Sequence, residues 1–136
     1  MAAYPFRRAL VTGASAGIGE RFAAILGEAG VPCVVARRGD RLADLARRFS
    51  GFEVLEADLQ SPDGVAAVGA RIAATTDPVD LLVNNAGFGT SGAFHEVAVE
   101  RATGQVDLNI RALVDLTHGA VNAFRSRSGG WILNVS

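Results

Sequence analysis

The segment Thr12-Gly13-Ala14-Ser15-Ala16-Gly17-Ile18-Gly19 constrains this chain more than any other. It follows the apolar run Ala9-Leu10-Val11 and opens a helical pattern, so three glycines stand where a strand turns directly into a helix. Such a turn needs backbone angles that a side chain obstructs. It also leaves free N–H groups at a helix N-terminus, where the macrodipole favours an anion. A dinucleotide pyrophosphate is the anion that suits this arrangement. The spacing is G-x-x-x-G-x-G rather than the more familiar G-x-G-x-x-G, but the mechanism is shared. One glycine makes the turn, and the others let backbone approach phosphate and helix approach sheet. Taken alone, the segment fits a plain strand-to-helix turn equally well.

The rest of the chain alternates around this turn. Residues 8–12 read as a strand and 17–29 as a helix, with Ile18, Phe22, Ile25, Leu26 and Ala29 on one stripe. The all-apolar run Cys33-Val34-Val35-Ala36 reads as a strand covered on both faces. Asp40 then caps a helix carrying Leu42, Leu45, Ala46 and Phe49. Residues 52–57 read as a third strand. Ser61-Pro62 starts a helix that carries Val65, Val68 and Ile72 to about Thr75. A fourth strand covers 80–84, followed by a flexible loop over 88–95. A long helical region over 97–127, with a break near Gly104, places Val106, Ile110, Leu113, Ala120 and Phe124 on one stripe. Residues 131–136 read as a fifth strand.

Such alternation over 136 residues predicts one α/β domain, a doubly wound parallel sheet with helices on both faces. Ligands then sit beyond the carboxyl ends of the strands. That edge carries the glycine turn, Arg37-Arg38, Asp58, Asn84-Asn85-Ala86-Gly87 and Ser136.

Several function classes are disfavoured at this point. A net charge of −1 offers no electrostatic case for nucleic acid or an anionic membrane. No apolar run reaches the roughly 18 residues of a membrane span, and the N-terminus lacks a signal pattern. Cys33, the single cysteine, is a small core residue or a reactive thiol, and its setting fits a reducing, cytoplasmic location. No cysteine, histidine and acid cluster has metal-ligand spacing, so no metal is expected. His95 and His118 have no supporting context. Ser15 has no histidine base nearby in sequence to make it a nucleophile.

The strand ends carry the specific chemistry. A site for NAD usually has an acid after the second strand to hold the ribose 2′-OH. Here Ala36 is followed by Arg37-Arg38, whose guanidinium forks suit a 2′-phosphate unless they are merely solvated. Asp58 either accepts from an adenine amino group or shapes a turn.

With the glycine turn, Asp58-Leu59, Asn84-Asn85-Ala86-Gly87 and Asn134-Val135-Ser136 in order, the whole chain resembles the short-chain dehydrogenase/reductase superfamily. The resemblance implies a Rossmann-like fold with strand order 3-2-1-4-5. It implies that Gly13, Ser15, Ala16, Gly17, Ile18 and Gly19 surround the cofactor phosphates. Arg37 and Arg38 would select NADP over NAD, Asp58 and Leu59 would meet adenine, and Asn85, Ala86 and Gly87 would line the adenosine ribose. Asn84 would tie the sheet together. Ala16 stands where some NADP-preferring relatives carry a basic residue, so selectivity rests on the two arginines. Asn109 matches a catalytic Asn that helps hold a water connected to a catalytic Lys.

The family's proton donor is a Tyr, activated by the Lys of a Tyr-x-x-x-Lys segment. This chain has no Lys, and Tyr4 is its one Tyr. Ser136 matches the serine just before the usual catalytic one. The resemblance is therefore to the front half of a reductase, cut before its active centre. It implies a carbonyl or alcohol substrate and a homo-oligomer for the complete protein. Hydride transfer at a family-like rate is not expected of this chain by itself. A non-catalytic NADP-binding module is the alternative. A methyltransferase ranks last, because that class wants an acid after the second strand.

Overall fold

The computed structural model describes residues 3–14, 16–37 and 42–136, with Arg37 described by its backbone. Five strands are present among them: β1 (Ala9–Thr12), β2 (Cys33–Arg37), β3 (Glu53–Glu56), β4 (Leu81–Asn84) and β5 (Trp131–Asn134). They form one wholly parallel sheet in the order β3-β2-β1-β4-β5. This is the Rossmann-like order that the family resemblance implies.

The strands follow from their residues. β1 and β4 are buried at every position, so apolar runs without alternation suit the middle of a sheet covered on both faces. β3 and β5 are the edges of this sheet, and there Val54, Trp131 and Leu133 are exposed. The period-two direction of side chains divides the core in two. Leu10, Val34 and Leu82 point to one face with Val68, Ile72 and Leu116. Val11, Val35 and Val83 point to the other with Leu26, Leu42 and Leu45.

The helices are α1 (Gly17–Glu28), α2 (Leu42–Arg48), α3 (Pro62–Ala73), α4 (Val99–Val106) and α5 (Leu113–Arg125). The stripe expected on α1 holds at Leu26, which is buried, and at Phe22, which packs against the core, but the face is rotated at its start. Its buried face is Gly19, Ala23, Ala24 and Leu26, whereas Ile18 is 60% exposed. Small residues face the sheet at Gly19, Ala23 and Ala24 because the helix starts hard against the β1 turn, and a branched side chain, Leu26, enters the core only further along. The cap expected from Asp40 lies outside the described residues. Ser61 caps α3 by accepting from the Gly64 N–H at 3.1 Å. That helix ends at Ala73, short of Thr75, where the Arg127 guanidinium donates to the carbonyls of Ile72, Ala73 and Ala74.

The long helix also departs from expectation. Its break lies not at Gly104 but at a π-helical segment, Asp107–Ala112, between α4 and α5. The wider turn rotates α5 relative to α4, so counting an α-helical period across it assigns the wrong face. Ala112, Leu116, Ala120 and Phe124 are buried, while Val106 and Ile110 are exposed. The loop expected over 88–95 is tied down by Phe88 and Thr90 and runs into a 3₁₀ turn, Phe94–Glu96.

Cys33 is a core residue, fully buried in β2. Burial pushes its thiol from 9.0 up to about 12, with the positive charge of Arg8 acting weakly the other way. The unfolded thiol ionises near 9 while the folded one keeps its proton, so in that window the unfolded state binds fewer protons. Stability attributable to this group is intact below about pH 9 and is lost as pH rises towards 12. Denaturant midpoints measured across this range should fall more steeply for the wild type than for Cys33→Ala. Parallel profiles would show that burial does not hold the thiol neutral.

Candidate functional site

The carboxyl ends of β1 and β4 are clasped together by Thr12 and Asn85. The buried Thr12 hydroxyl accepts from the backbone N–H groups of Asn85 and Ala86, both at 3.0 Å, and donates to the Val83 carbonyl at 3.3 Å. In return the Asn85 amide donates to the carbonyls of Thr12 and Gly13, both at 3.1 Å. The two turns are thereby set against each other, and the start of α1 lies on the clasp. A Cβ on Gly19 would collide with the Asn85 amide nitrogen and the Gly13 carbonyl oxygen.

In front of this clasp α1 presents its N-terminus. Ala16 is its N-cap and makes no side-chain capping bond. Gly17 has φ +60°, and among the described residues other than its chain neighbours nothing lies within 4 Å of the place its Cβ would take. The combination gives a helix N-terminus facing open space, with a backbone turn that L side chains rarely adopt. Chemically it is an anion cradle.

A cleft of about 480 Å³ opens beside it. Of the residues singled out in the sequence, Gly13, Ala16 and Ile18 line it from the glycine turn. Asp58 and Leu59 line it from beyond β3, and Asn85, Ala86 and Gly87 from beyond β4. Gly17 and Gly19 shape the start of α1 without lining the cleft. Arg37 closes β2, in register with Glu56. Ser15 and Arg38 lie outside the described residues. Gln60, Phe88 and Leu108 also line the cleft, although the sequence did not single them out.

Asp58 shapes a turn, one of the two roles its position suggests. Its carboxylate accepts from the Gln60 N–H at 3.0 Å, and its carbonyl accepts from the N–H and hydroxyl of Ser61. The half-buried carboxylate still forms part of the cleft wall. Asn109 sits in the π segment, behind the wall rather than in it. Its amide accepts from the Phe88 N–H at 3.0 Å and donates to the Phe88 carbonyl at 2.8 Å, clamping the chain just past Gly87. Asn84 donates to both Thr117 Oγ1 and Asn134 Oδ1 at 3.0 Å, joining β4, α5 and β5. Ser136 follows β5, exposed and outside the cleft. His95 is paired with Glu96 at 3.9 Å and His118 approaches Asn122, and neither lines the cleft. Among the described residues no helix is long and apolar enough to cross a membrane.

Thr12 is the residue whose role the sequence did not assign. Its only signal is its place at the end of an apolar strand immediately before the first glycine.

The family model for short chain dehydrogenases matches residues 7–136. The chain belongs to the short-chain dehydrogenase/reductase superfamily. Acetoacetyl-CoA reductase of Shinella zoogloeoides is similar to this superfamily member, with 33% identity over 133 residues, 96% of this chain and 54% of the reductase. Among solved structures, the bulky-bulky ketone specific alcohol dehydrogenase from Comamonas testosteroni superposes with a TM-score of 0.88 at 32% identity, covering 94% of this chain and 53% of that one. A short-chain dehydrogenase from Sphingobium yanoikuyae, in complex with NADPH, superposes at 0.86 with 35% identity, over 93% of this chain and 52% of that one. The chain thus spans about half the length of the relatives it matches.

Proposed function

We propose that the protein is an NADP(H)-dependent oxidoreductase that interconverts a carbonyl compound and an alcohol in the cytoplasm, and that residues 1–136 supply its cofactor-binding part. The observation that carries this reading is the uncapped α1 N-terminus facing open space beside a cleft at the sheet's carboxyl edge. The cradle fits a pyrophosphate because the backbone is bare at Gly17 and an anion there is favoured by the helix dipole. Gly13, Ser15, Ala16, Gly17, Ile18 and Gly19 hold the phosphates. Asp58 and Leu59 hold adenine, and Asn85, Ala86 and Gly87 hold the adjoining ribose. Arg37 and Arg38 take the 2′-phosphate by charge-assisted, forked hydrogen bonds. NADP(H) would supply or accept the hydride. The residues of this chain bind and orient it, and Asn109 fixes the segment after Gly87 through its two bonds to Phe88.

Cofactor titration tests this. Charge-assisted contacts are worth roughly 1.5–3 kcal/mol, so NADP⁺ should bind about ten- to a hundredfold more tightly than NAD⁺. Arg37→Ala should erase most of that preference. Equal affinities in the wild type would sink the assignment.

The absence of any Lys, with Tyr4 as the one Tyr, favours a second reading, a non-catalytic NADP-binding module. The two part on the reading frame beyond residue 136. A Tyr-x-x-x-Lys segment there, with NADPH oxidation on a carbonyl panel by the product that includes it, supports the enzyme. Cofactor binding without either supports the module.

We further read the protein as a homo-oligomer, built on the outer side of α4 and α5. Val99, Val106, Ile110, Val114 and Val121 are 41–65% exposed there, an apolar surface of the kind that marks association. Sedimentation at micromolar concentration should show dimers or larger species, weakened by Ile110→Asp. A wild-type monomer under those conditions contradicts the reading.

A further inference from the structure

Only three polar side chains line the 480 Å³ cleft among the described residues: Asp58, Gln60 and Asn85. Their hydrogen-bonding capacities differ. An ionised Asp58 only accepts, and it already accepts from the Gln60 backbone. The Asn85 amide nitrogen donates to the carbonyls of Thr12 and Gly13. The Gln60 carboxamide, by contrast, has no hydrogen-bond partner among the described residues. It rests over the buried Gly104 of α4, and a Cβ at that position would come within 2.7 Å of Gln60 Oε1. The missing side chain at 104 leaves room for this exposed amide to lie there. That place lies between the main cleft and a second one of about 390 Å³ between α3 and the π segment, and Gln60 lines both.

We infer that Gln60 is a second reader of the adenine base, working beside Asp58. The inference rests on the dinucleotide reading above. Adenine presents a donor, its amino group, next to a ring-nitrogen acceptor. A carboxylate matches only the donor. A carboxamide carries an acceptor and a donor side by side and matches both, which is why Asn and Gln pair bidentately with adenine. Gln60 is the cleft's one carboxamide whose donor is unspent, and its neighbours Leu59, Leu108 and Ala57 offer the apolar surface a base needs. Gly104 is the supporting position, since a methyl group there displaces the reader without touching the ligand.

Calorimetric titration with NADP⁺ and with its deamino analogue, in which hypoxanthine replaces adenine, tests the inference. Hypoxanthine presents a carbonyl acceptor and a ring N–H donor, the reverse pattern. Gln60→Ala should lower NADP⁺ affinity about tenfold, equivalent to about 1.4 kcal/mol. Gly104→Ala should lower it similarly, and should add nothing in the Gln60→Ala background, where no carboxamide remains to displace. Gln60→Glu should widen the preference for NADP⁺ over the deamino analogue, because a carboxylate still accepts from the adenine amino group but meets the hypoxanthine carbonyl with like partial charge. A carboxamide turned over also matches hypoxanthine, so Gln60→Ala and Gly104→Ala should weaken both ligands and Gln60→Glu is the variant that separates them. If Gln60 merely stiffened the Asp58 turn, Gln60→Glu would leave the ratio of the two affinities unchanged, and that result overturns the inference. Wild-type affinity in Gln60→Ala also overturns it. A wild type that binds neither dinucleotide instead removes the cofactor reading itself, and this inference with it.

Discussion

Gly19→Ala should abolish dinucleotide binding and leave the protein only marginally folded. The added Cβ would overlap both the Asn85 amide nitrogen and the Gly13 carbonyl oxygen. One of these is backbone and the other is held by two hydrogen bonds, so neither can swing away. The start of α1 must therefore lift off the clasp. Overpacking a tight site typically costs 1–3 kcal/mol, and with two fixed neighbours we expect about 3 kcal/mol here. The α1 N-terminus beside the cleft, with Ala16 and Ile18 in its wall, would move with the helix, which is why binding should disappear rather than weaken. Gly17→Ala is the informative companion. Its Cβ meets none of the described residues beyond its chain neighbours, so the φ of +60° is what opposes it, at about 1–2 kcal/mol. Urea denaturation and NADP⁺ titration of both variants give the comparison. Equal stability losses, or a Gly19→Ala protein that binds NADP⁺ normally, would show that close packing at Gly19 does not shape the site.

Thr12→Val should cost about 2–4 kcal/mol and lower cofactor affinity, although the two side chains have nearly the same shape. Thr12 is 2% exposed and its hydroxyl serves two backbone donors, Asn85 N and Ala86 N. Valine leaves both half-buried N–H groups without that acceptor, and each orphaned group costs roughly 1–2 kcal/mol, the lower part of the range for buried groups. The turn after β4 would then drift from the turn after β1, opening the cleft between them. Thr12→Ser keeps the oxygen and should recover most of the loss. The hub assignment fails if valine and serine variants unfold at the same denaturant concentration.

Much of the architecture is legible in the residues because the signals are local. An apolar run, a glycine turn and an amphipathic stretch each lie within one element, so the five strands and their parallel arrangement can be read directly. The carboxyl edge of the sheet follows from the same reading, and the glycine turn, Asp58 and Asn85-Ala86-Gly87 do meet there around one cleft. Helix faces are less legible. On α1 the burial of alanines instead of Ile18 depends on how close the helix sits to the sheet, which no periodicity reports. In α4 and α5 the π segment shifts the count.

The sequence by itself determined the order of the elements, the class of the sheet and the edge at which a ligand can bind. Each of these follows from backbone preference and from which side chains avoid water, properties that act over a few residues. The tertiary structure alone decided which groups hold that edge in shape. Thr12 meets Asn85 across 73 residues, Asn84 meets Asn134 across 50, and Arg127 reaches the end of α3 across 53–55. A hydrogen bond between groups so far apart leaves no local trace. Its partners are chosen by how the sheet twists and how the helices pack, and only then does a Thr become a hub and a Gln come to lie over a glycine at the cleft.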